Sequence, residues 1–228
     1  MSTKPLAHQV MPGAADAESS TAATGAVRAR DSLFHWCGTA DAVRVAPDPS
    51  QKRLLLDAYF EQVAEETIAP AARFFAGAFI PLEDGKPGGL DWNIVAQAVG
   101  DLARIDLDEV RERCSQAGDL GDVAAEAFAG RLPSGIAVSE VSVWGETVAF
   151  ATAPARVQSL LRDMFARLSS MEARYLVNLI SGELDLGIAP AQVEAAVAAR
   201  FTSVAARRPD RRKNNGPHSG PDQRRPWR

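Results

Sequence analysis

The residues that most often carry covalent or metal chemistry are few in this sequence and stand far apart. Its two cysteines are Cys37 and Cys114, and its three histidines are scattered along the chain. Two cysteines are too few for a disulfide scaffold or a cysteine-rich zinc site. The densest group of carboxylates, within residues 101–109, is better explained by helix capping and solvation than by metal binding. We therefore predict no catalytic residue and no metal site in this chain.

Basic side chains are the remaining candidates, because each can contact a phosphate group. Lys52 and Arg53 stand at the predicted start of one helix, and Arg156 stands at the predicted start of another. At each position the alternatives are a phosphate contact and plain solvation. Arg162 and Arg167 are expected on a solvated helix face. Asp163, four residues before Arg167, is the expected ion-pair partner of Arg167.

The charge distribution separates the body of the chain from its C-terminal end. The 228 residues carry a formal net charge of −4. From residue 207 onward eight basic residues, Arg211 and Arg212 among them, accompany two acidic ones, which gives this segment +6 and leaves −10 for residues 1–206. An acidic body argues against a surface that binds nucleic acid throughout, whereas the basic tail would attract polyanions.

Composition predicts one folded domain between two tails. Residues 1–30 are rich in Ala, Ser, Thr and Gly, and residues 207–228 contain four prolines among the arginines. Such segments bury too little apolar surface to offset the entropy of ordering, so we expect both to be disordered and residues 31–206 to be globular. No apolar run is long enough to cross a bilayer, and the first ten residues do not read as a secretory signal. We expect no membrane partner and a cytoplasmic location, with nucleoid association if the protein is bacterial.

Apolar spacing within residues 31–206 is mostly helical. The clearest stripe lies in residues 155–168; a second helix follows, in which Ser169 and Glu172 form a capping box and Gly182 marks the end. Another helix is expected to begin at Pro190 and to direct Phe201 inward. Further helices are predicted over residues 51–64, 68–75, 90–103, 107–116 and 120–129, and a loop over residues 77–89.

One stretch is ambiguous between helix and strand. Residues 136–151 contain enough valine and aromatic side chains for a strand, but a single strand in a helical chain would have nothing to pair with. The predicted fold class is therefore all-α.

Three strings within this domain carry a resemblance to a known family. They are AARFFAG at residues 71–77, GDLGDVA at 118–124 and EARYLVNLISGELDLG at 172–187. In order and approximate spacing they resemble the AARFLxG, GDLGxVA and EARYLVxLxxGxLRIG segments of the N-terminal domain of ATP-dependent DNA ligases. The resemblance covers roughly residues 33–201. It implies an all-helical domain, with residues 139–151 helical, that binds double-stranded DNA across the minor groove opposite a nick.

The chemistry of such ligases is not matched by this chain. Their nucleophilic lysine lies in the motif Lys-x-Asp-Gly-x-Arg, and none of Lys4, Lys52, Lys86 or Lys213 stands in it. Lys213 comes nearest, but Asn215 replaces the acid and His218 replaces the arginine. We therefore expect no autonomous catalysis and no cofactor bound by this chain; ATP and Mg²⁺ are expected only for a complete ligase, with a separately encoded catalytic domain as a possible partner.

The resemblance also names the residues expected to touch DNA. Gly182 and Gly187 frame the family's turn, Arg156 lies where the family has basic residues, and Lys52, Arg53, Arg211 and Arg212 complete the predicted set. The sequence departs from the family at Asp185, where arginine is usual, and at Val157, where lysine is common. A carboxylate repels phosphate, so the contact at this turn is either lost or made by backbone N–H groups.

Two other readings remain open at this point. The chain is alternatively a ligase-derived helical module for protein–protein interaction, or a truncated remnant without DNA affinity.

Overall fold

The computed structural model describes residues 29–80 and 90–207, and within them it forms ten α-helices and no β-strand. The all-α prediction is confirmed. In chain order the helices are α1 (Leu33–Val45), α2 (Pro49–Gln62), α3 (Glu65–Phe75), α4 (Trp92–Ala103), α5 (Leu107–Ala117), α6 (Leu120–Ala127), α7 (Val138–Ala149), α8 (Pro154–Phe165), α9 (Ser170–Ser181) and α10 (Pro190–Arg207). Residues 1–28, 81–89 and 208–228 lie outside the described part, so the expected disorder of the two tails and most of the 77–89 loop stay predictions.

Short polar side chains mark where the helices begin. Ser32, Asp48, Asp106 and Asp119 each accept a hydrogen bond from a backbone N–H in the first turn of the helix that follows. Each bond satisfies a donor that has no partner inside the helix. The Ser169–Glu172 capping box predicted for α9 is confirmed.

The core is organised around α9, whose residues are almost all buried from Glu172 to Ile180. This helix packs against α6, α1 and α4. On either side, α2 packs against α1 and α10, α8 packs against α4, and α7 packs against α3. A cluster of rings fills the space beside α9, where Trp36 contacts Phe74, Phe75 and Tyr175 edge-on or tilted.

The helix pair α6 and α9 approaches more closely than ordinary side chains allow. A Cβ placed on Gly121 would lie 2.4 Å from the Arg174 carbonyl oxygen and 2.4 Å from Asn178 Oδ1. Only glycine fits this crossing, because real Cβ atoms do not come so near to other heavy atoms. The glycine of the GDLGDVA string is therefore a packing requirement.

Several finer predictions were wrong. Phe201 on α10 is 51% exposed and does not point inward. Leu54, expected on the apolar stripe of α2, is 67% exposed, and the helix buries Leu56, Tyr59 and Phe60. Arg167 pairs with Glu140 of α7 at 3.1 Å and not with Asp163. Helix α1 had no counterpart among the sequence-based predictions.

Candidate nucleic-acid interface

The turn between α9 and α10 is the exposed part of the longest family-like string. Gly182 ends α9 with φ +79°, and Gly187 has φ +60°. Both are in the left-handed region, which glycine enters without the steric cost that a Cβ brings. Both glycines are exposed, while Leu186 between them is buried and anchors the turn to the core. The two glycines thus bring backbone to the surface at a fixed place.

Lys52 of α2 reaches this turn from 134 residues away in the sequence. Its Nζ donates to the Leu186 carbonyl oxygen at 2.7 Å and to the Gly187 carbonyl oxygen at 3.1 Å. A Cβ on Gly187 would lie 2.7 Å from that same Nζ. Two predicted site residues, Lys52 and Gly187, are therefore in direct contact, but the lysine binds protein carbonyls.

Asp185, the departure from the family pattern, is used inside the turn. Its Oδ1 accepts a hydrogen bond from the Gly187 N–H at 2.8 Å. An aspartate that accepts from the N–H two residues ahead closes a tight turn without help from other segments. The carboxylate is exposed, so its negative charge stays close to any phosphate that approaches the turn.

Four backbone donors of the turn are unused. Within residues 29–80 and 90–207, the N–H groups of Leu184, Asp185, Leu186 and Ile188 have no hydrogen-bond partner. The Leu184 carbonyl oxygen lies 3.8 Å from where a Cβ on Gly77 would lie. The turn therefore packs against the residues that follow α3. Free backbone N–H groups next to a glycine are donors that a phosphate oxygen can accept from.

The Arg53 side chain makes two hydrogen bonds within the domain. Its Nε donates to Asp57 Oδ1 at 2.7 Å, and its Nη2 donates to the Ala195 carbonyl oxygen at 2.9 Å. These bonds tie α2 to α10. Arg53 therefore holds two helices together, and the phosphate contact suggested by the sequence stays a prediction.

Arg156 lies in the first turn of α8 and is exposed. Its side chain makes no hydrogen bond or ion pair with another described residue. Helix α8 is fixed to α4, where Gln158 Nε2 donates to the Ile94 carbonyl oxygen at 2.9 Å. The described contacts do not bring Arg156 to Lys52 or to the glycine turn. Arg211 and Arg212 lie outside the described residues.

Six other arginines of the described part are neutralised locally. Each forms an ion pair with a carboxylate: Arg44, Arg111, Arg113, Arg162, Arg167 and Arg174. Asp108 and Glu109, from the acidic group of the sequence, are two of these partners. In the described ranges, no group of three or more histidine, cysteine or carboxylate side chains is arranged to hold a metal ion.

Sequence reasoning missed one exposed cation, Arg104. It is the C-cap of α4 with φ +60°, the one residue other than glycine with positive φ in the described part. Glycine or asparagine is usual at such a position. The left-handed conformation of Arg104 could not be predicted from the sequence, because no glycine or asparagine stands at the end of α4.

A separate apolar groove lies between α1 and α2. It encloses about 730 Å³ and is lined by small and apolar side chains together with His35 and Tyr59. The two rings stack with centroids 5.3 Å apart. His35 Nε2 and the Tyr59 hydroxyl are buried without a hydrogen-bond partner. Burial raises the pKa of Tyr59 far above its ordinary value, so its hydroxyl remains a donor at neutral pH.

In the part of the chain that the structure describes, no helix has both the length and the apolar character needed to cross a bilayer.

Comparison with known proteins identifies the family. The family described as DNA ligase N terminus matches residues 32–198, so this chain belongs to the N-terminal domain family of DNA ligases. The chain is similar to a probable DNA ligase of Opitutus terrae, with 26% identity over 208 residues that cover 76% of this chain and 20% of the relative.

Two further relatives are also DNA ligases that are much longer than this chain. A probable DNA ligase of Koribacter versatilis is 26% identical over 165 residues, which cover 72% of this chain and 29% of the relative. DNA ligase 2 of Haloquadratum walsbyi is 29% identical over 159 residues, which cover 62% of this chain and 25% of the relative. The chain spans about a fifth to three tenths of the length of these relatives. The resemblance inferred from the three strings is confirmed.

Proposed function

We propose that this chain binds double-stranded DNA, preferably at a nick, through the turn at residues 182–188. The observation that carries the proposal is this turn, an exposed backbone segment held between two left-handed glycines with the Leu184 and Ile188 N–H groups unpaired. Backbone N–H groups bind phosphate oxygens without reading base sequence. Binding is therefore sequence-independent and decreases as salt concentration rises.

Three residues support this binding in different ways. Arg156 supplies an unpaired cation, and Arg211 and Arg212 belong to a basic tail that adds non-specific attraction to the phosphate backbone. The acidic body and Asp185 oppose it. The balance favours weak affinity, in which the turn determines the preference for a duplex and the tail contributes most of the salt dependence.

The function of the bound state is nick sealing in DNA repair and recombination, in concert with a ligase catalytic domain. No lysine of this chain stands in the adenylation motif Lys-x-Asp-Gly-x-Arg. We therefore propose that ATP and Mg²⁺ act in a ligase catalytic domain outside these 228 residues, in the cytoplasm or at the nucleoid. This chain contributes DNA binding and no covalent step.

A binding measurement on the full-length chain tests the proposal. The seven basic residues of the tail beyond residue 207 are changed to Gln, so that only the domain can contribute. We expect fluorescence anisotropy to show tighter binding to a nicked duplex than to a single strand at low salt. We expect Arg156→Glu to abolish this preference. Equal affinity for both DNAs, or none, would contradict the proposal.

The groove between α1 and α2 favours a second candidate function, protein–protein interaction. Its lining is mostly apolar, and Phe34 at its edge is 38% exposed, so the groove offers apolar surface to a bound polypeptide. Phe34→Ala, a groove variant on α1 that adds no charge, separates the two functions. If the chain acts only through DNA, this variant binds nicked duplex as the parent chain does.

A further inference from the structure

One peptide group of the turn is held at both of its ends. The carbonyl between Leu186 and Gly187 accepts from Lys52 Nζ at 2.7 Å, and the N–H of the same peptide group donates to Asp185 Oδ1 at 2.8 Å. A peptide group held on both sides cannot rotate without breaking one of these bonds. The next peptide group is held as well, since the Gly187 carbonyl oxygen accepts from the same Nζ at 3.1 Å.

This second contact determines where the Ile188 N–H points. In a trans peptide the C=O and the N–H are directed to opposite sides, and the described residues contain no cis bond. The Gly187 carbonyl faces Lys52, so the Ile188 N–H, which belongs to the same peptide group, faces away from it. That N–H is one of the four unpaired donors of the turn.

We propose that Lys52 is a positioning residue, which binds two carbonyl oxygens of the turn and thereby directs the Ile188 N–H toward a phosphate of duplex DNA. The inference rests on the DNA binding proposed above. This role differs from the one expected from the sequence. There, the Lys52 ammonium group was expected to contact phosphate directly.

The same geometry explains how Asp185 is compatible with DNA binding. The aspartate replaces an arginine of the family pattern, yet it closes the turn through the Gly187 N–H. Lys52 and Asp185 act on opposite ends of one peptide group, and their opposite charges offset one another at long range. Loss of either residue frees the turn while leaving the other charge uncompensated.

Salt dependence distinguishes positioning from direct contact. A cation that neutralises one phosphate contributes about 0.9 to the slope of log affinity against log salt, whereas a residue that only shapes the backbone contributes little. The comparison uses the full-length chain with its tail basic residues changed to Gln. Lys52→Met removes the ammonium group and keeps the apolar stem, Lys52→Arg restores a donor of two hydrogen bonds, and Arg156→Gln is the matched control at an unpaired cation.

We expect Lys52→Met to weaken binding to nicked duplex about tenfold with an unchanged slope, and Arg156→Gln to reduce the slope by about 0.9. In the DNA-free protein, amide hydrogen exchange of Gly187, whose N–H donates to Asp185, should become faster in Lys52→Met and return toward the parent rate in Lys52→Arg. A slope reduced by about 0.9 in Lys52→Met, unchanged affinity, or unchanged exchange would each overturn the positioning role. If the parent chain itself shows no duplex preference, the proposed function fails first and this inference fails with it.

Discussion

Gly121 of α6 lies directly against Asn178 of α9. The Gly121 N–H donates to Asn178 Oδ1 at 2.8 Å, and Asn178 Nδ2 donates to Asp119 at 3.0 Å. One buried amide therefore bonds both the cap and the first turn of α6. Through this contact two of the three family-like strings, at 118–124 and 172–187, form a single packed unit.

Gly121→Ala should destabilise the domain strongly. Its Cβ would overlap Asn178 Oδ1 and the Arg174 carbonyl oxygen, both at 2.4 Å, and moving α6 away would break a buried hydrogen bond. We expect a loss of about 3 kcal/mol in the free energy of unfolding, measured by urea denaturation.

Gly38→Ala is the matched control, because Gly38 is also inside a helix but a Cβ there meets nothing within 4 Å. It should raise the free energy of unfolding by about 0.5–1 kcal/mol. Equal effects of the two substitutions would show that the close approach of α6 and α9 does not hold in solution.

Glu172 should be more important to stability than its place on a capping box suggests. It is fully buried and accepts hydrogen bonds from the backbone and hydroxyl groups of both Ser169 and Ser134. Glu172→Ala leaves these buried donors without an acceptor, and we expect it to cost about 3 kcal/mol. Glu140→Ala removes an exposed ion pair with Arg167 and should cost less than about 1 kcal/mol. Similar losses in thermal or urea unfolding would refute the role given to Glu172.

His35 should make the domain less stable in mild acid. Burial, and next the positive charge of Arg30, lowers the pKa of His35 below its ordinary value of 6.5. The unfolded chain then binds a proton more readily than the folded one, so stability falls as pH decreases through 6.5 toward the lowered pKa. His35→Phe keeps the stacked ring and removes the titration. Unfolding measured between about pH 7.5 and about pH 5 should depend less on pH in this variant, and an unchanged dependence would exclude His35 as the cause.

The basic tail should dominate the salt dependence of DNA binding. Residues 208–228, which include Arg211 and Arg212, carry seven basic residues, and each phosphate they neutralise adds about 0.9 to the slope. Deleting this segment should flatten the slope by several units. A deletion that leaves the slope unchanged would mean that the domain alone neutralises the phosphates.

Local patterns in the sequence predicted most of the fold, because helix ends depend on neighbouring residues. Ser169 and Glu172 are three residues apart, and their capping box is confirmed. The bonds from Ser134 to the same Glu172 span 38 residues and leave no local signal. Likewise Lys52 was recognised as a candidate at the DNA-binding face, but its partners, the carbonyls of Leu186 and Gly187, are backbone atoms whose position depends on the packing of α2 against α10.

The family-like strings show the same division between packing and function. Glu172, Tyr175 and Asn178 are buried and bonded within the domain, so their presence reports the fold. Gly182 and Gly187 are among the exposed members, and their positive φ angles were predictable as helix stop and turn. Which N–H groups remain unpaired beside them depends on tertiary contacts.

Amide hydrogen exchange with and without a nicked duplex tests the central claim most directly, because it reports which backbone N–H groups the DNA covers. The full-length chain with its tail basic residues changed to Gln is compared in both states at low salt. We predict slower exchange at Leu184 and Ile188 and in the first turn of α8, where Arg156 lies. Unchanged exchange at the glycine turn, or protection confined to the groove between α1 and α2, would contradict DNA binding at residues 182–188.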